Sequence, residues 1–434
     1  MECSEQRTSN ETSVGQALGR RASDGTASEE QASKVAVLNE RPLQQGLAFS
    51  EAAEPAWTGI ADPAKAAVLF RRLLLRQKEK ENVLRFSMDI QMDVEEQDRA
   101  IICFYKSNKV DWARPLHCIL QGDAAVGEGV NRHFFSQTMH KLQNGFKINF
   151  GNTMITMLFE GQSDHLIPST SQILVESDLF IMAGRMIGHS FIHGGPCLSG
   201  LSPAIIHVLL GNTSDTATIR LEDIPDLDLR ETIKTVDGNN ELTEREKDVI
   251  TELALSWDLP GVTNTNRKWL FYRLLQHAVL GRTLGQVKQM RRGIKETNVW
   301  PVLTERADVV PLMFPRSSNI MCSPKIILEN IIWPGEEEDE DDEYSVDIKC
   351  RIAGYLRQFI ETAPTDNLKQ LVKFWVGWEI PIRDMQLEVV KGDFPKSSTC
   401  FLTLRMPGHY KCYEEFSSCL ESCIATNDTG FGLV

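Results

Sequence analysis

A chain of 434 residues, 42% hydrophobic and 24% charged, has room for two or three domains and the composition of a soluble globular protein. Its net charge of −14 argues against nucleic acid as a partner, since neutralising phosphates takes a basic surface, and no apolar run approaches the roughly 20 residues that span a membrane. Ten cysteines without dense, regular spacing argue against a disulfide framework and for the reducing cytoplasm or nucleus.

The opening "MECSEQRTSNETS" lacks the apolar centre of a secretory signal. Residues 1–62 are rich in Ser, Thr, Gln, Glu, Gly and Ala with no sustained apolar period, and are expected to be disordered. From Pro63 the pattern "AKAAVLFRRLLLRQKEKENVLRF" predicts a helix with Val68, Leu69, Leu73 and Leu75 on its apolar face. "RPLHCILQGDAAVGEG" reads as a strand and a glycine-bearing turn, and "NRHFFSQTMHKL" as a helix with Phe134, Phe135 and Met139 inward. "ESDLFIMAGRMIGHSFIHGG" predicts a helix capped by Ser177 or Asp178, with Leu179, Met182, Met186 and Ile187 at helical spacing and Gly194–Gly195 at its end. "NRKWLFYRLLQHAVLG" is a further apolar helix, ended by Gly281, and the basic run 288–295, "KQMRRGIK", is expected to be a solvated helix face.

Pro334 and Gly335 then break the pattern, and residues 336–343 are eight consecutive acids. Such a run repels itself and stays extended, so 336–345 is expected to be a linker between a domain at 63–335 and one at 346–434. The second domain has a compact pattern of its own. One helix carries Ile348, Ile352, Tyr355, Leu356, Phe359 and Ile360. The next, capped by Thr365 or Asp366, carries Leu368, Leu371, Val372 and Trp375. "MQLEVV" and "CFLTLRM" alternate like strands, and "YEEFSSCLESCIATN" closes with a helix showing Phe416, Leu420 and Ile424. The fold class is α+β.

Cys400 stands where the polar loop Pro395–Thr399 meets that last strand pattern. The loop should be exposed, Lys396 is close enough in sequence to favour a thiolate, and Phe401 is placed to anchor the strand. Taken alone, a Thr-Cys-Phe tripeptide would be an inert edge cysteine.

The surroundings change that reading. Phe394–Pro395, Ser397, Ser398, Thr399, Cys400 and Phe401, followed by Leu404, Pro407 and Tyr410 and by the ending "GFGLV", resemble the active loop and C-terminus of HECT-type ubiquitin ligases. "QLVKFWVGWEIP", "CILQGDAAVGEGVNRHFF", "AGRMIGHSFIHGGP" and "VKQMRRGIKETNVWPVLTERADVVPLMFP" resemble further family segments, so the likeness runs over roughly residues 65–434, nearest to a vertebrate cell-cycle-phase (G2/M) subgroup. The chain departs from the family at Ser398, where many members have histidine. It departs again at Gly127–Glu128–Gly129, where Asp-x-Gly-Gly is usual.

The resemblance implies a bilobal fold: a larger, mainly helical N-lobe that docks a conjugating enzyme, an acidic hinge, and a small α/β C-lobe. It implies ubiquitin transfer in two steps, with Cys400 taking ubiquitin as a thioester and a substrate lysine then attacking it. Backbone N–H groups of 397–401 or the Thr399 hydroxyl would hold the oxyanion. Phe431 would lie near the acceptor, or else be a packing anchor. The implied partners are ubiquitin, a conjugating enzyme and protein substrates, with no metal or cofactor. The alternatives are a decayed HECT-like interaction module and a cysteine hydrolase, the latter without a convincing Cys–His pairing.

Three other clusters carry competing readings. Cys412, Cys419 and Cys423 near His409 suggest zinc, but the last two share a helix face with Leu420 and Ile424, which favours packing. His193 before Gly194–Gly195 resembles an esterase oxyanion loop but has no Gly-x-Ser-x-Gly partner. Trp257, Trp269, Phe271 and Tyr272 could form an aromatic groove for a conjugating enzyme, with at least two of them expected in the core.

Overall fold

Several helix starts in this chain are set by short acidic or hydroxyl side chains that take up the first N–H groups. The Asp62 carboxylate accepts from Ala64 (2.8 Å) and Lys65 (3.3 Å), with Pro63 at the first helical position. The computed structural model describes residues 55–107, 109–122, 127–148, 155–238, 240–317, 322–335 and 344–425. In chain order it begins α1 (Pro63–Lys78), β1 (Leu84–Asp89), α2 (Val94–Lys106), β2 (Leu116–Gln121) and α3 (Glu128–Asn144). There follow β3 (Phe159–Glu160), β4 (Ile167–Pro168), α4 (Gln172–Glu176), α5 (Leu179–Ile192), α6 (Pro203–Leu209), α7 (Leu227–Asp237), α8 (Glu244–Ser256), α9 (Arg267–Val279), α10 (Leu284–Lys295), α11 (Trp300–Glu305) and α12 (Val310–Met313). The rest is α13 (Pro324–Glu329), β5 (Ile331–Ile332), α14 (Val346–Thr362), α15 (Thr365–Val376), β6 (Met385–Val390), β7 (Lys396–Ser398), β8 (Thr403–Pro407) and α16 (Tyr413–Ala425).

The first hydrophobic core spans Trp57 to Phe314. Strands β1 and β2 pair in parallel, Leu84 opposite Leu116 through Asp89 opposite Gln121, and α2 makes the crossover such a pair needs. At the centre lies α5, every residue of which is buried. Its polar side chains must therefore find partners within the protein. Arg185 donates to the Tyr105 carbonyl (2.6 Å) and to Glu296 (2.6 Å), and His189 Nδ1 lies 2.9 Å from the Tyr105 hydroxyl among Trp112, Phe134 and Phe135. Two glycines let α5 meet α10 backbone to backbone. A Cβ on Gly184 would stand 2.2 Å from the Met290 carbonyl, and one on Gly293 would stand 2.0 Å from that of Ile181.

The second core runs from Cys322 to Ile424. It is a four-stranded sheet in the order β5-β6-β8-β7, with β5, β6 and β8 parallel and β7 antiparallel to β8, packed with α14, α15 and α16. Leu356, Leu371, Trp375, Met385, Leu404, Phe416 and Leu420 are all buried there, as their periodicities predict.

Four expectations are corrected. Helix α1 buries Ala66, Ala67 and Phe70, whereas Val68 is exposed, because α1 lies on the core through its small residues. Asp178 does not cap α5: it sits at φ 58° where α4 runs into α5, and the Ser177 hydroxyl donates back to Ile173 (2.7 Å) instead. Neither Thr365 nor Asp366 caps α15, whose cap position is Pro364, without a side-chain bond. The change of core, finally, does not fall at 335/336. Ser317 N–H is held by Asp164 (2.6 Å) on the first core, Cys322 is already buried in the second, and β5 is hydrogen-bonded to β6. Both flanks of the acidic run therefore belong to the second core; residues 336–343 themselves lie outside the described residues, as do 1–54, which cover most of the N-terminal segment. The basic run 288–295 is solvated on one face only: Lys288, Arg292 and Lys295 are exposed while Met290, Gly293 and Ile294 are buried. Among the described residues no helix is long and apolar enough to cross a membrane.

Two predictions follow from this packing. Gly293→Ala should lower stability by about 1–3 kcal/mol through overpacking. Gly354→Ala, inside α14 with no atom near the new methyl, should raise it by roughly 0.5–1 kcal/mol; thermal melts of both check the contrast. Burial holds His189, and with it His193, below the usual imidazole range. These neutral rings contribute stability that is complete above the unfolded pKa of about 6.5 and is lost as pH falls below it. The denaturant midpoint should accordingly drop less between pH 7.5 and 5.5 in His189→Gln than in the wild type.

Candidate active site

The chain reverses from β7 into β8 by way of one 3-10 turn, Thr399–Cys400–Phe401, so Cys400 lies just ahead of the strand, at the junction expected, whereas residues 396–398, expected as loop, form β7. Leu402 follows at φ 57°, a left-handed conformation that a residue with a Cβ adopts only when its surroundings hold it there. They do. The Leu402 carbonyl accepts from the buried Trp375 indole (2.8 Å) and from the Gln386 N–H (2.8 Å), so α15 and β6 fix the exit of the turn. Leu404, fully buried, anchors β8. Phe401 does not anchor it: the residue is 76% exposed, beside the exposed Cys400.

The entry of the turn is held from the other core. Thr399 is buried, and its Oγ1 packs on the first turn of α3, where a Cβ on Gly129 would come within 2.1 Å of it and 3.3 Å of the Cys400 nitrogen. A Cβ on Gly127, itself at φ 99°, would lie 3.3 Å from the Cys400 sulfur. One turn on, Arg132 donates through Nε to the Val376 carbonyl at the end of α15 (2.6 Å) and through Nη2 to the Thr399 carbonyl, with its guanidinium 5.9 Å from the Trp378 ring. Another turn on, Ser136 donates to Glu379 (2.7 Å). Gly377, at φ 94°, closes α15 against this face, where a Cβ would meet the Gly129 carbonyl at 2.9 Å. Burial lowers Arg132 from its usual pKa, countered first by Glu128 and then by Cys400. Gly129, Arg132 and Ser136 thus form one stripe at helical spacing, and the structure brings Cys400 and Thr399 onto it.

Of the residues expected at the site, Cys400 and Thr399 are together, and Phe431 lies outside the described residues. Thr399 turns its hydroxyl toward Gly129, and Ser397 and Ser398 pair with Leu404 and Thr403 in the β7–β8 ladder. Sequence reasoning missed the roles of Arg132, Gly377 and Trp375. Their only signals were the Arg132-His-Phe-Phe end of "CILQGDAAVGEGVNRHFF" and a glycine after an apolar helix.

The cysteine and His193 clusters are packed in the protein, whereas the aromatic one is partly exposed. Tyr410 donates to Cys419 Sγ (3.1 Å), Cys419 packs against the second core, and burial lifts the Cys423 thiol to about 11. Among the described residues no group of three His, Cys, Asp or Glu side chains is placed to hold a metal. His193 lies 3.1 Å from the Trp112 carbonyl and stacks on Phe135. Phe271 is buried and Trp257 partly so, whereas Trp269 and Tyr272 stand 46% and 59% exposed on α9, with Arg273 over the Trp269 ring. Leu227 and Leu255, on the adjoining α7 and α8, are also exposed.

Comparison with known proteins bears directly on this site. Residues 336–434 match the family model of the HECT domain (ubiquitin-transferase). Three relatives each bear the name G2/M phase-specific E3 ubiquitin-protein ligase. The Macaca fascicularis protein is 24% identical over 306 residues, covering 66% of this chain and 39% of the relative. The Gallus gallus protein is 26% identical over 190 residues (43% and 24%), and the Homo sapiens protein 26% over 176 residues (39% and 23%). The chain spans less than half the length of these relatives.

Proposed function

We propose, from the match of residues 336–434 to the HECT-domain family model, that the chain is a ubiquitin transferase working through a thioester on Cys400. The observation that carries this reading is an exposed thiol in a turn whose two ends are fixed by buried groups, Thr399 at the entry and the Trp375 indole at the exit. A nucleophile needs that combination of access and fixed geometry.

In the first step the Cys400 thiolate attacks the thioester carbonyl that joins ubiquitin to a conjugating enzyme. The new C–S bond forms as the old one breaks, and the conjugating enzyme leaves as a thiolate. In the second, a substrate lysine amine attacks the Cys400 thioester, loses a proton and expels the Cys400 thiolate. Thioester exchange is nearly isoenergetic, so the protein's task is to present the sulfur and hold the developing oxyanion. The two cores act as the family's two lobes, and the joint between them falls between Ser317 and Cys322, ahead of the acidic run. The conjugating enzyme docks on α9 through Trp269 and Tyr272, aromatic groups of the kind that dominate interfaces. Cytoplasm or nucleus is the proposed compartment, where the thiol stays reduced.

Incubation with activating enzyme, a panel of conjugating enzymes and ubiquitin should give a thiol-sensitive ubiquitin adduct on the wild type and none on Cys400→Ala. No adduct with any member of a broad panel would mean an interaction module in place of an enzyme. The double variant Trp269→Ala/Tyr272→Ala should slow loading about tenfold or more, as expected for a hot spot worth above roughly 1.4 kcal/mol. Its melting temperature should be unchanged, because both rings are exposed; a normal loading rate would place the docking surface elsewhere.

A further inference from the structure

The Cys400 turn is completed by a residue that belongs to the other core. Arg132 projects from α3, whose Phe134, Phe135, Met139 and Leu142 are packed in the first core, and its guanidinium joins two carbonyls of the second. One acceptor, Val376, ends α15. The other, Thr399, begins the Cys400 turn, and its own carbonyl is also the acceptor for the Leu402 N–H that closes the turn (3.4 Å). The same guanidinium therefore fixes the turn relative to α15 and fixes both relative to α3.

We infer that Arg132 is a positioning residue for Cys400: its two-pronged bond sets the turn in its transfer-competent form only when the two cores are docked. This rests on the proposed transferase reading. A planar fork suits the job because it satisfies two carbonyls in fixed relative positions, whereas a lysine ammonium is a point charge on a flexible stem. The absence of side chains at Gly127 and Gly129 lets the turn approach closely enough for the fork to reach, and puts backbone on one side of the Cys400 sulfur. Losing the fork should loosen the turn, uncover that side of the sulfur and spoil its alignment for attack.

The test is Arg132→Lys, which keeps the charge and removes the fork, beside Arg132→Gln, each in the full chain. Two readouts are needed. Alkylation by iodoacetamide, followed by peptide mass spectrometry, should be at least threefold faster at Cys400 in Arg132→Lys. At Cys350 and Cys103, which are exposed elsewhere, it should be unchanged. Single-turnover loading from a ubiquitin-charged conjugating enzyme should show a maximal rate at least tenfold lower in both variants, with the half-saturating concentration of the conjugating enzyme within twofold, since Arg132 is not on the α9 docking face. Wild-type alkylation and loading rates in both variants would overturn the inference. So would a uniform rise in alkylation at all three cysteines with a lowered melting temperature, which would make Arg132 a general stabiliser. If the wild type forms no adduct at all, the transferase reading fails, and the alkylation arm alone still decides whether Arg132 sets the turn.

Discussion

Everything at the site depends on α3 serving two cores at once. Its aromatic side, with Phe134 and Phe135, is enclosed around His189 of the buried α5. Its other side carries Gly129, Arg132 and Ser136 against the second core. A helix so constrained on the first side cannot roll or slide without disturbing a close-packed interior, so the stripe it offers the second core is a rigid one. The Cys400 turn is seated on something that cannot give way, and this turns a three-residue loop into a defined geometry.

Much of the architecture was legible because it follows from period. The apolar residues of α3, α14, α15 and α16 were named from spacing alone and are buried where expected, except Ile348 and Tyr355 of α14, which are only partly buried. The Cys400 loop was legible through residue identity, since Thr-Cys-Phe flanked by its proline, leucine and terminal Gly-Phe-Gly is a distinctive string. What sequence did not show was tertiary. The polar stretch 396–398 reads as loop but pairs as β7, and the turn that joins it to β8 is fixed by the Trp375 indole, which holds Leu402 at positive φ. Phe401 looked like an anchor because phenylalanine usually is; the turn points it outward. The caps at Asp178 and Thr365 failed for a local reason, as one helix follows directly on another and a proline occupies the cap site.

The place where the core changes, between Phe314 and Cys322, was not legible from the acidic run. Eight acids in a row are a louder signal than the two-residue strand β5, yet β5 is the element hydrogen-bonded into the second sheet. Composition marks a segment that makes no core of its own; it does not say which core lies on either side. Charge and connectivity are separate properties, and here they fall at different places in the chain.

That joint sets a limit on separation. From Ser317, held on the first core, to Cys322, buried in the second, there are five backbone steps, which at full extension reach about 18 Å. Two surfaces on so short a tether meet at an effective concentration in the millimolar range or above. The contact between the cores, made of the two carbonyls held by Arg132, the Ser136–Glu379 bond and the close approaches at Gly127, Gly129 and Gly377, is thus an intramolecular one. The shortness of the connection therefore bounds how far its two ends, Ser317 and Cys322, can part.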